Sequence, residues 1–287
     1  MSPMRLSLLA LALAASAASA QDVVGRKDRV YTASERVSEG GTVRIYSTIG
    51  DIAITEGKGG SVEFRAEKDT ERGDIEDIGF VIHRDRDGIT ICAVMSADDE
   101  CDTDGVHRAS GWRDSGRRWR ERARVTITVQ VPKGTRLKAG SGNGRVSVAA
   151  AVISAHASSG NGRVDVSGVL GPVQASSGNG DVTVETTNGP VNASSGNGRI
   201  RVSMDKLTGN DDISLSTGNG RIELVAPRDF SAEVDANTGN GFVTTDFPIQ
   251  LIGRLTPNRM RGTIGNGTRR LHLSSGNGTI EIRKKGA

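Results

Sequence analysis

The sequence predicts an all-β fold, a parallel β-solenoid or coiled β-roll with about eighteen residues per turn and an irregular β N-terminal part. Three observations predict it. The tripeptide GNG recurs at eighteen-residue intervals, apolar and polar residues alternate on both sides of it, and 38 glycines contrast with only 3% aromatic residues. Large rings fill most globular cores, so this chain must pack Val, Ile, Leu and Ala into a narrow interior.

The first twenty residues are typical of a Sec-type signal peptide. Arg5 precedes a short apolar run over residues 6–14, and small residues end the segment at Ala20. The alternative is a membrane anchor, but this run is too short to span a bilayer. We therefore expect cleavage after Ala20, a periplasmic or secreted mature protein, and no transmembrane segment.

The repeat unit consists of two short strands around one GNG motif. The motifs begin at Gly142, Gly160, Gly178 and Gly196, and continue less evenly at Gly218, Gly239, Gly265 and Gly276. Two and four residues after the second glycine, and seven and five before it, most copies have an apolar residue. This alternation is typical of strands with one buried face.

A fixed period predicts stacking, because one unit cannot bury its own apolar face. Each unit should lie roughly 4.8 Å above the last and pair with it in parallel. Parallel crossovers are nearly always right-handed, so we expect that hand. An antiparallel sandwich with Asn-Gly hairpins is the main alternative, but the identical polarity of the copies favours stacking.

The GNG motif is interpreted as the corner of each turn. A tight corner favours a positive φ, which Gly adopts freely and Asn tolerates. Stacking should also place Asn143, Asn161, Asn179 and Asn197 above one another in a hydrogen-bonded ladder. A phosphate-binding loop is the functional alternative, but no helix and no Lys-Ser/Thr pair follow the motif.

The region before the repeats is predicted as irregular β structure. Residues 43–54 keep the repeat spacing, several later segments alternate as strands, and Asp87-Gly88 suggests a hairpin turn. Cys92 and Cys101 are predicted to form a disulfide, with a redox or metal pair as the alternative. The chain is thus divided into a signal peptide (1–20), an N-terminal β region (21–136) with a polar loop (96–124), and a GNG-repeat solenoid (137–287).

These motifs resemble a known family. Val131-Pro132-Lys133-Gly134-Thr135, followed by a strand and SGNG repeats, is similar to the bacterial "putative adhesin" domain family of exported β-strand-repeat proteins. The resemblance covers roughly residues 41–285, and the cysteine pair also resembles some members. It implies adhesion but assigns no catalytic residues, and we expect no surface anchor of the kind usual for an adhesin.

Two sets of residues are candidates for binding a partner. The first is the basic half of the polar loop, with Arg108, Trp112, Arg113, Arg117, Arg118, Trp119 and Arg120. Arg and Trp dominate many interfaces, although a disordered polar insertion is the alternative. The second is an outward column formed by Arg145, Arg163, Asp181, Arg199 and Arg221. It could bind an anionic polymer or be a solvated mixed-charge face.

The function predicted from these features is that of an exported, non-enzymatic envelope or secreted protein, adhesin-like, that presents a surface to an anionic envelope polymer or another envelope protein. The formal net charge of +3 is too balanced to indicate nucleic acid, and no cofactor or metal is expected. A calcium loop at Asp102–Gly105 lacks the later ligands. The alternative function is a polysaccharide-active β-helix enzyme, for which aromatic platforms are scarce.

Overall fold

The computed structural model describes residues 21–70, 74–95, 99–107, 123–186, 188–207, 209–253 and 256–286. These residues form two long sheets around one hydrophobic core, which we call sheet A (13 strands) and sheet B (11 strands). Within these ranges the single helical element is the 3-10 helix Ile75–Asp77, and no helix has the length and apolar character needed to cross a bilayer. The predicted all-β parallel solenoid is confirmed.

The strands follow one another in three groups along the chain. The N-terminal group comprises β1 (Val23–Val24), β2 (Val30–Arg36), β3 (Thr42–Ile49), β4 (Ile52–Glu56), β5 (Ser61–Thr70), β6 (Gly79–Arg84), β7 (Gly88–Val94), β8 (Glu100–Asp102), β9 (Gly105–His107) and β10 (Ala123–Val131). The central group comprises β11 (Arg136–Asn143), β12 (Val146–Ala149), β13 (Ser154–Asn161), β14 (Val164–Val169), β15 (Val173–Asn179), β16 (Val182–Thr186), β17 (Val191–Asn197), β18 (Ile200–Met204), β19 (Ile213–Asn219) and β20 (Ile222–Ala226). The C-terminal group comprises β21 (Ala232–Asn240), β22 (Val243–Thr245), β23 (Ile249–Leu251), β24 (Arg259–Ile264), β25 (Arg270–Asn277) and β26 (Ile280–Lys284).

Each coil contributes one strand to sheet A and the next to sheet B. In the central group, β13 pairs in parallel with β15 so that Ala157 lies beside Ala175, and β14 pairs with β16 so that Val164 lies beside Val182. Both pairings have the eighteen-residue offset of the sequence repeat. The inward side chains are buried, with Ala175 1% and Val182 0% exposed, so apolar burial holds successive coils in register.

The corner glycines are required by the close approach of neighbouring coils. A Cβ on Gly178 would lie 2.5 Å from the carbonyl oxygen of Gly160, and one on Gly160 would lie 2.4 Å from that of Gly142. The predicted positive φ holds at some corners, such as Gly241 (φ 153°) and Gly278 (φ 151°), whereas Gly180 (φ 159°) is nearly extended. The asparagines do not need it, because they are the last residues of strands such as β15. The corner is therefore glycine-rich because backbones stack on backbones there.

The predicted asparagine ladder is present and runs through seven coils. Each amide Nδ2 donates to the Oδ1 of the next asparagine over 2.6–2.8 Å, in the order Asn240, Asn277, Asn219, Asn197, Asn179, Asn161 and Asn143. The serines two residues before the asparagines bond to the backbone of the neighbouring coil. The buried hydroxyl of Ser177 donates to the carbonyl oxygen of Gly162 over 2.8 Å, and that of Ser159 donates to the carbonyl oxygen of Gly144 over 2.7 Å.

We expect Asn179→Val to lower the free energy of unfolding by about 1–2 kcal/mol, because it removes the donor to Asn161 and the acceptor for Asn197 from the middle of the ladder. Urea denaturation of the purified variant measures the loss. Asn192→Val is the matched control, since Asn192 is also exposed in a strand and lies outside the ladder. Equal midpoints for the two variants would contradict a stabilising ladder.

The order of coils in the stack differs from their order in the chain. The C-terminal coil of β25 and β26 lies between the coil of β19 and β20 and the coil of β21 and β22. The expectation that each unit lies above the last is therefore wrong for this coil. A physical reason is its composition: Leu271, Leu273, Ile280 and Ile282 are at most 1% exposed, whereas β22 places Thr245 beside Ile282. The coil of β21 and β22, which has the polar Thr245 at an inner position, is therefore the last coil of the stack.

The motif at Gly265 is not a stack corner. Gly265 (φ 61°) and Gly267 (φ 67°) adopt left-handed conformations in the turn between β24 and β25, where glycine is favoured over other residues. β24 runs antiparallel to β21, and β23 runs antiparallel to β24, so these two strands cover the C-terminal end of sheet A. This assignment explains why Arg269 stands where the repeat would require an apolar residue.

The N-terminal group continues the same stack and closes its other end. β3 and β4 pair in parallel with β11 and β12, and β7 and β10 extend the two sheets by one further strand each. Antiparallel β6 and β5 follow, then β1 and β2 at the edges. The rings of Tyr31, Phe64 and Phe80 pack together at this end with centroids 5.1–6.4 Å apart.

Candidate interaction surface

The outer face of sheet A carries a groove that crosses five consecutive coils. Its floor is a register column of outward side chains, formed by Arg44, Lys138, His156, Gln174 and Asn192. The cavity has a volume of about 480 Å³. Four strand spacings separate the first coil from the last, so the column is about 19 Å long.

One side of the groove is formed where the strands of sheet A begin. Arg136, Ser154, Pro172 and Pro190 occupy this position in successive coils and line the cavity. The prolines have no backbone N–H to donate, and each presents an apolar ring beside the polar floor. The groove thus combines cationic, amide, hydroxyl and apolar groups along the stack.

Most of this column could have been predicted from the sequence. Lys138 lies between buried Leu137 and Ala139, so its side chain must point outward. Counting eighteen residues at a time from Lys138 leads to His156, Gln174 and Asn192. Residues 43–54 keep the repeat spacing, so Arg44 stands six residues before Gly50 as Lys138 does before Gly144. The sequence prediction instead followed the outward column of sheet B.

Arg44 lies at the junction of the groove with a second cavity. Its side chain is buried, its Nη1 donates to the Oδ2 of Asp85 over 3.1 Å, and its Nε has no hydrogen-bond partner among the described residues. The second cavity has a volume of about 310 Å³ and shares Thr42, Arg44 and Arg136 with the groove. Further along the floor, burial lowers the pKa of His156, and the positive charge of Lys138 lowers it further.

The arginine column of sheet B is paired with carboxylates. Ion pairs between neighbouring coils join Arg145 to Asp165, Arg163 to Asp181 and Arg221 to Glu281 at 3.4–3.9 Å. Arg201, two residues beyond the column position of Arg199, pairs with Glu223 at 3.4 Å. For Arg199 no ion pair occurs within the described ranges. Exposed pairs of this kind contribute little stability, but they neutralise the charge that an anionic polymer would need. The pairing favours the interpretation as a solvated mixed-charge face.

A disulfide-linked hairpin covers part of sheet A next to the groove. Cys92 and Cys101 form the predicted disulfide, with their Cα atoms 6.0 Å apart. Residues 99–107, within the predicted polar loop, form the β8–β9 hairpin, and the hydroxyl of Tyr46 donates to the carbonyl oxygen of Thr103 over 3.0 Å. This part differs from the predicted loop because the disulfide and Tyr46 hold it on the sheet.

The acidic side chains of the hairpin stabilise its turn. The Asp102 carboxylate accepts the N–H groups of Asp104 and Gly105 over 2.8 and 3.1 Å and pairs with His107 at 3.0 Å. In the part of the chain that the structure describes, no group of three or more acidic, His or Cys side chains could hold a metal ion. The seven predicted partner-binding residues lie outside the described residues; they are Arg108, Trp112, Arg113, Arg117, Arg118, Trp119 and Arg120.

Comparison with known proteins gave one family and several structures. A family model described as Toastrack DUF4097 matches residues 133–283, and no curated protein matches the chain. A "putative adhesin" from Bacteroides fragilis is similar at 14% identity over 90% of this chain and 98% of its own, with a TM-score of 0.45. A "putative cell adhesion protein" from Clostridium sporogenes is similar at 11% identity over 89% and 100% of the two chains, with a TM-score of 0.35.

Proposed function

This chain belongs to the Toastrack DUF4097 family, and we propose that it is an exported, non-enzymatic protein of the cell envelope or the medium that binds an extended anionic envelope polymer along sheet A. Family membership confirms the resemblance that the SGNG repeats indicated. The observation that carries the binding proposal is the groove, where Arg44, Arg136 and Lys138 meet a row of amide and hydroxyl groups.

Export is supported by the disulfide. Cystines persist in oxidising compartments such as the periplasm and the extracellular medium and are rare in the cytosol. The proposed signal peptide (1–20) with cleavage after Ala20 agrees with this location. The division into an N-terminal β region (21–136) and a repeat region (137–287) is part of the same proposal, with both sheets continuous across the boundary.

Binding is favoured over polysaccharide cleavage by the chemistry of the groove. Glycoside hydrolysis generally needs two carboxyl groups on either side of the scissile bond. No Asp or Glu occurs among the described residues that line the 480 Å³ cavity. The cationic lining suits retention of acidic groups, since guanidinium and ammonium groups pair with carboxylates and phosphates.

A charge reversal inside the groove tests the proposed surface. We expect Lys138→Glu to weaken binding of the mature protein to polygalacturonate at least about tenfold, equivalent to about 1.4 kcal/mol, because it places a carboxylate on the groove floor. Arg163→Glu on sheet B makes the same charge change and should leave binding within about twofold. Biolayer interferometry across a salt series measures both, and reducing-end assays should detect no cleavage of the polymer.

The arginine and tryptophan segment is tested separately, because it remains a second proposed partner-binding region. If Arg108–Arg120 binds the polymer, deletion of residues 104–120 should abolish the salt-sensitive retention of the mature protein on polygalacturonate. Retention that survives the deletion but is lost in Lys138→Glu would locate binding in the groove. Equal binding by Lys138→Glu and the unmodified protein would exclude the groove.

A further inference from the structure

The junction of the two cavities on sheet A contains the buried guanidinium of Arg44, which has an unused hydrogen-bond donor. The Arg44 side chain is only 8% exposed, and Asp85 occupies Nη1 alone. Its Nε is buried and has no partner among the described residues. A buried donor without an acceptor costs free energy, so such groups in native proteins usually have a partner that completes them.

The surroundings of Arg44 are suited to an anion that carries one negative charge. Arg136 and Arg86 line the smaller cavity together with Glu39 and Asp87, and Lys138 lines the groove. One donor of Arg136 is used by the carbonyl oxygen of Gly40. Because Asp85 already neutralises part of the charge on Arg44, the excess positive charge is small, which favours a carboxylate over a doubly charged phosphate.

The rest of the groove distinguishes a sugar chain from a peptide. Peptides commonly bind sheets by adding a strand at a free edge, but the strands β11, β13, β15 and β17 beneath the groove are paired on both sides. Recognition there must use side chains. His156, Gln174 and Asn192 repeat at roughly 4.8 Å, comparable to the length of one pyranose ring, and Pro172 offers an apolar surface for a ring face.

We propose that the junction around Arg44 and Arg136 is an oxyanion subsite that holds one carboxylate of an acidic polysaccharide. The neighbouring sugar units lie along the column of Lys138, His156, Gln174 and Asn192. The carboxylate accepts from the free donors of Arg136 and is attracted by the positive charge of Arg44, which lines both cavities. This inference rests on the proposed polymer-binding function and adds to it the chemical class of the ligand and the position of its charged unit.

The test compares a short oligogalacturonate with its carboxyl-reduced, uncharged form and with polyphosphate. The unmodified mature protein should bind the oligogalacturonate at least about tenfold more tightly than the reduced form, as charge-assisted guanidinium–carboxylate bonds predict. In Arg44→Met this preference should fall to within about twofold while binding of the reduced form persists. Arg201→Met on sheet B is the control and should keep the full preference.

Arg136→Gln provides a second variant if Arg44→Met does not fold, because Arg136 is exposed and its replacement leaves the core intact. It should also reduce the preference for the acid. An unchanged preference in the folded Arg44→Met protein, or in Arg136→Gln if Arg44→Met is unfolded, would overturn the subsite. Tighter binding of polyphosphate by the unmodified protein would overturn the subsite but leave anionic-polymer binding standing. Equal binding of acid and reduced sugar would overturn the subsite and the preference for an anionic polymer. Failure to bind any of the three would overturn both proposals.

Discussion

Replacing Gly178 with alanine is expected to lower the free energy of unfolding by about 3 kcal/mol, the upper end of the usual cost of overpacking. The added Cβ would lie 2.5 Å from the carbonyl oxygen of Gly160 in the neighbouring coil. That oxygen belongs to a strand paired on both sides, so it cannot move away without distorting the ladder of backbone hydrogen bonds. The coil must therefore separate locally from its neighbour.

Urea denaturation followed by far-UV circular dichroism measures this loss. Gly60→Ala is the matched control, because a Cβ on Gly60 meets nothing within 4 Å, and its stability should change by less than about 0.5 kcal/mol. Hydrogen exchange in Gly178→Ala should accelerate first in the strands β13 and β15 that meet at this corner. Indistinguishable midpoints for the two variants would show that the coils are not packed backbone to backbone.

The second large effect is expected from Lys68→Met at the N-terminal end of the stack. Lys68 is 1% exposed, and its Nζ donates to the carbonyl oxygens of Gly25, Arg26 and Ile75 over 2.6, 2.9 and 3.0 Å. Methionine fills a similar volume but leaves three acceptors without a donor. We expect a loss of about 3 kcal/mol, since each unsatisfied buried acceptor costs about 1–3 kcal/mol and local opening to water limits the sum.

Thermal unfolding and limited proteolysis measure the effect, with cleavage expected near residues 23–30. Lys58→Met is the control, because Lys58 is exposed. Burial also lowers the pKa of Lys68 to about 8 from its usual 10.5. Between these two values the unfolded chain binds more protons than the folded chain, so the stability of the unmodified protein relative to Lys68→Met should rise with pH. A difference that is constant from pH 7 to pH 11 would contradict a perturbed Lys68.

The core of each coil could be read from the sequence because its information is local. Val182 and Val184 alternate with polar neighbours, and copies eighteen residues apart keep the same polarity. The alternation selects a strand with one buried face, and the constant period selects parallel stacking over hairpins. The asparagine ladder followed from the same period. The cause of the corner glycines did not, because a contact such as that between Gly178 and Gly160 exists only once two coils are stacked.

The binding groove could be predicted only in part. Lys138, His156, Gln174 and Asn192 follow the repeat, so their alignment was accessible to counting. Arg44 joins them through the pairing of β3 with β11, in which Arg44 lies beside Lys138. The spacing around Gly50 makes Arg44 equivalent to Lys138, but the residues between them form a separate set of strands, so the spacing does not say that the two coils are neighbours.

The sequence by itself determined the all-β class, the eighteen-residue coil, its inward residues and the disulfide, because each depends on short-range alternation, a fixed repeat or two cysteines. The tertiary structure decided which coil lies beside which. It inserted the C-terminal coil of β25 and β26 next to β19 and β20, because its four buried aliphatic residues gain more from two neighbours than from one. It also brought Arg44 to the end of the groove, since contacts between distant segments are set by the total burial of the stack rather than by any local pattern.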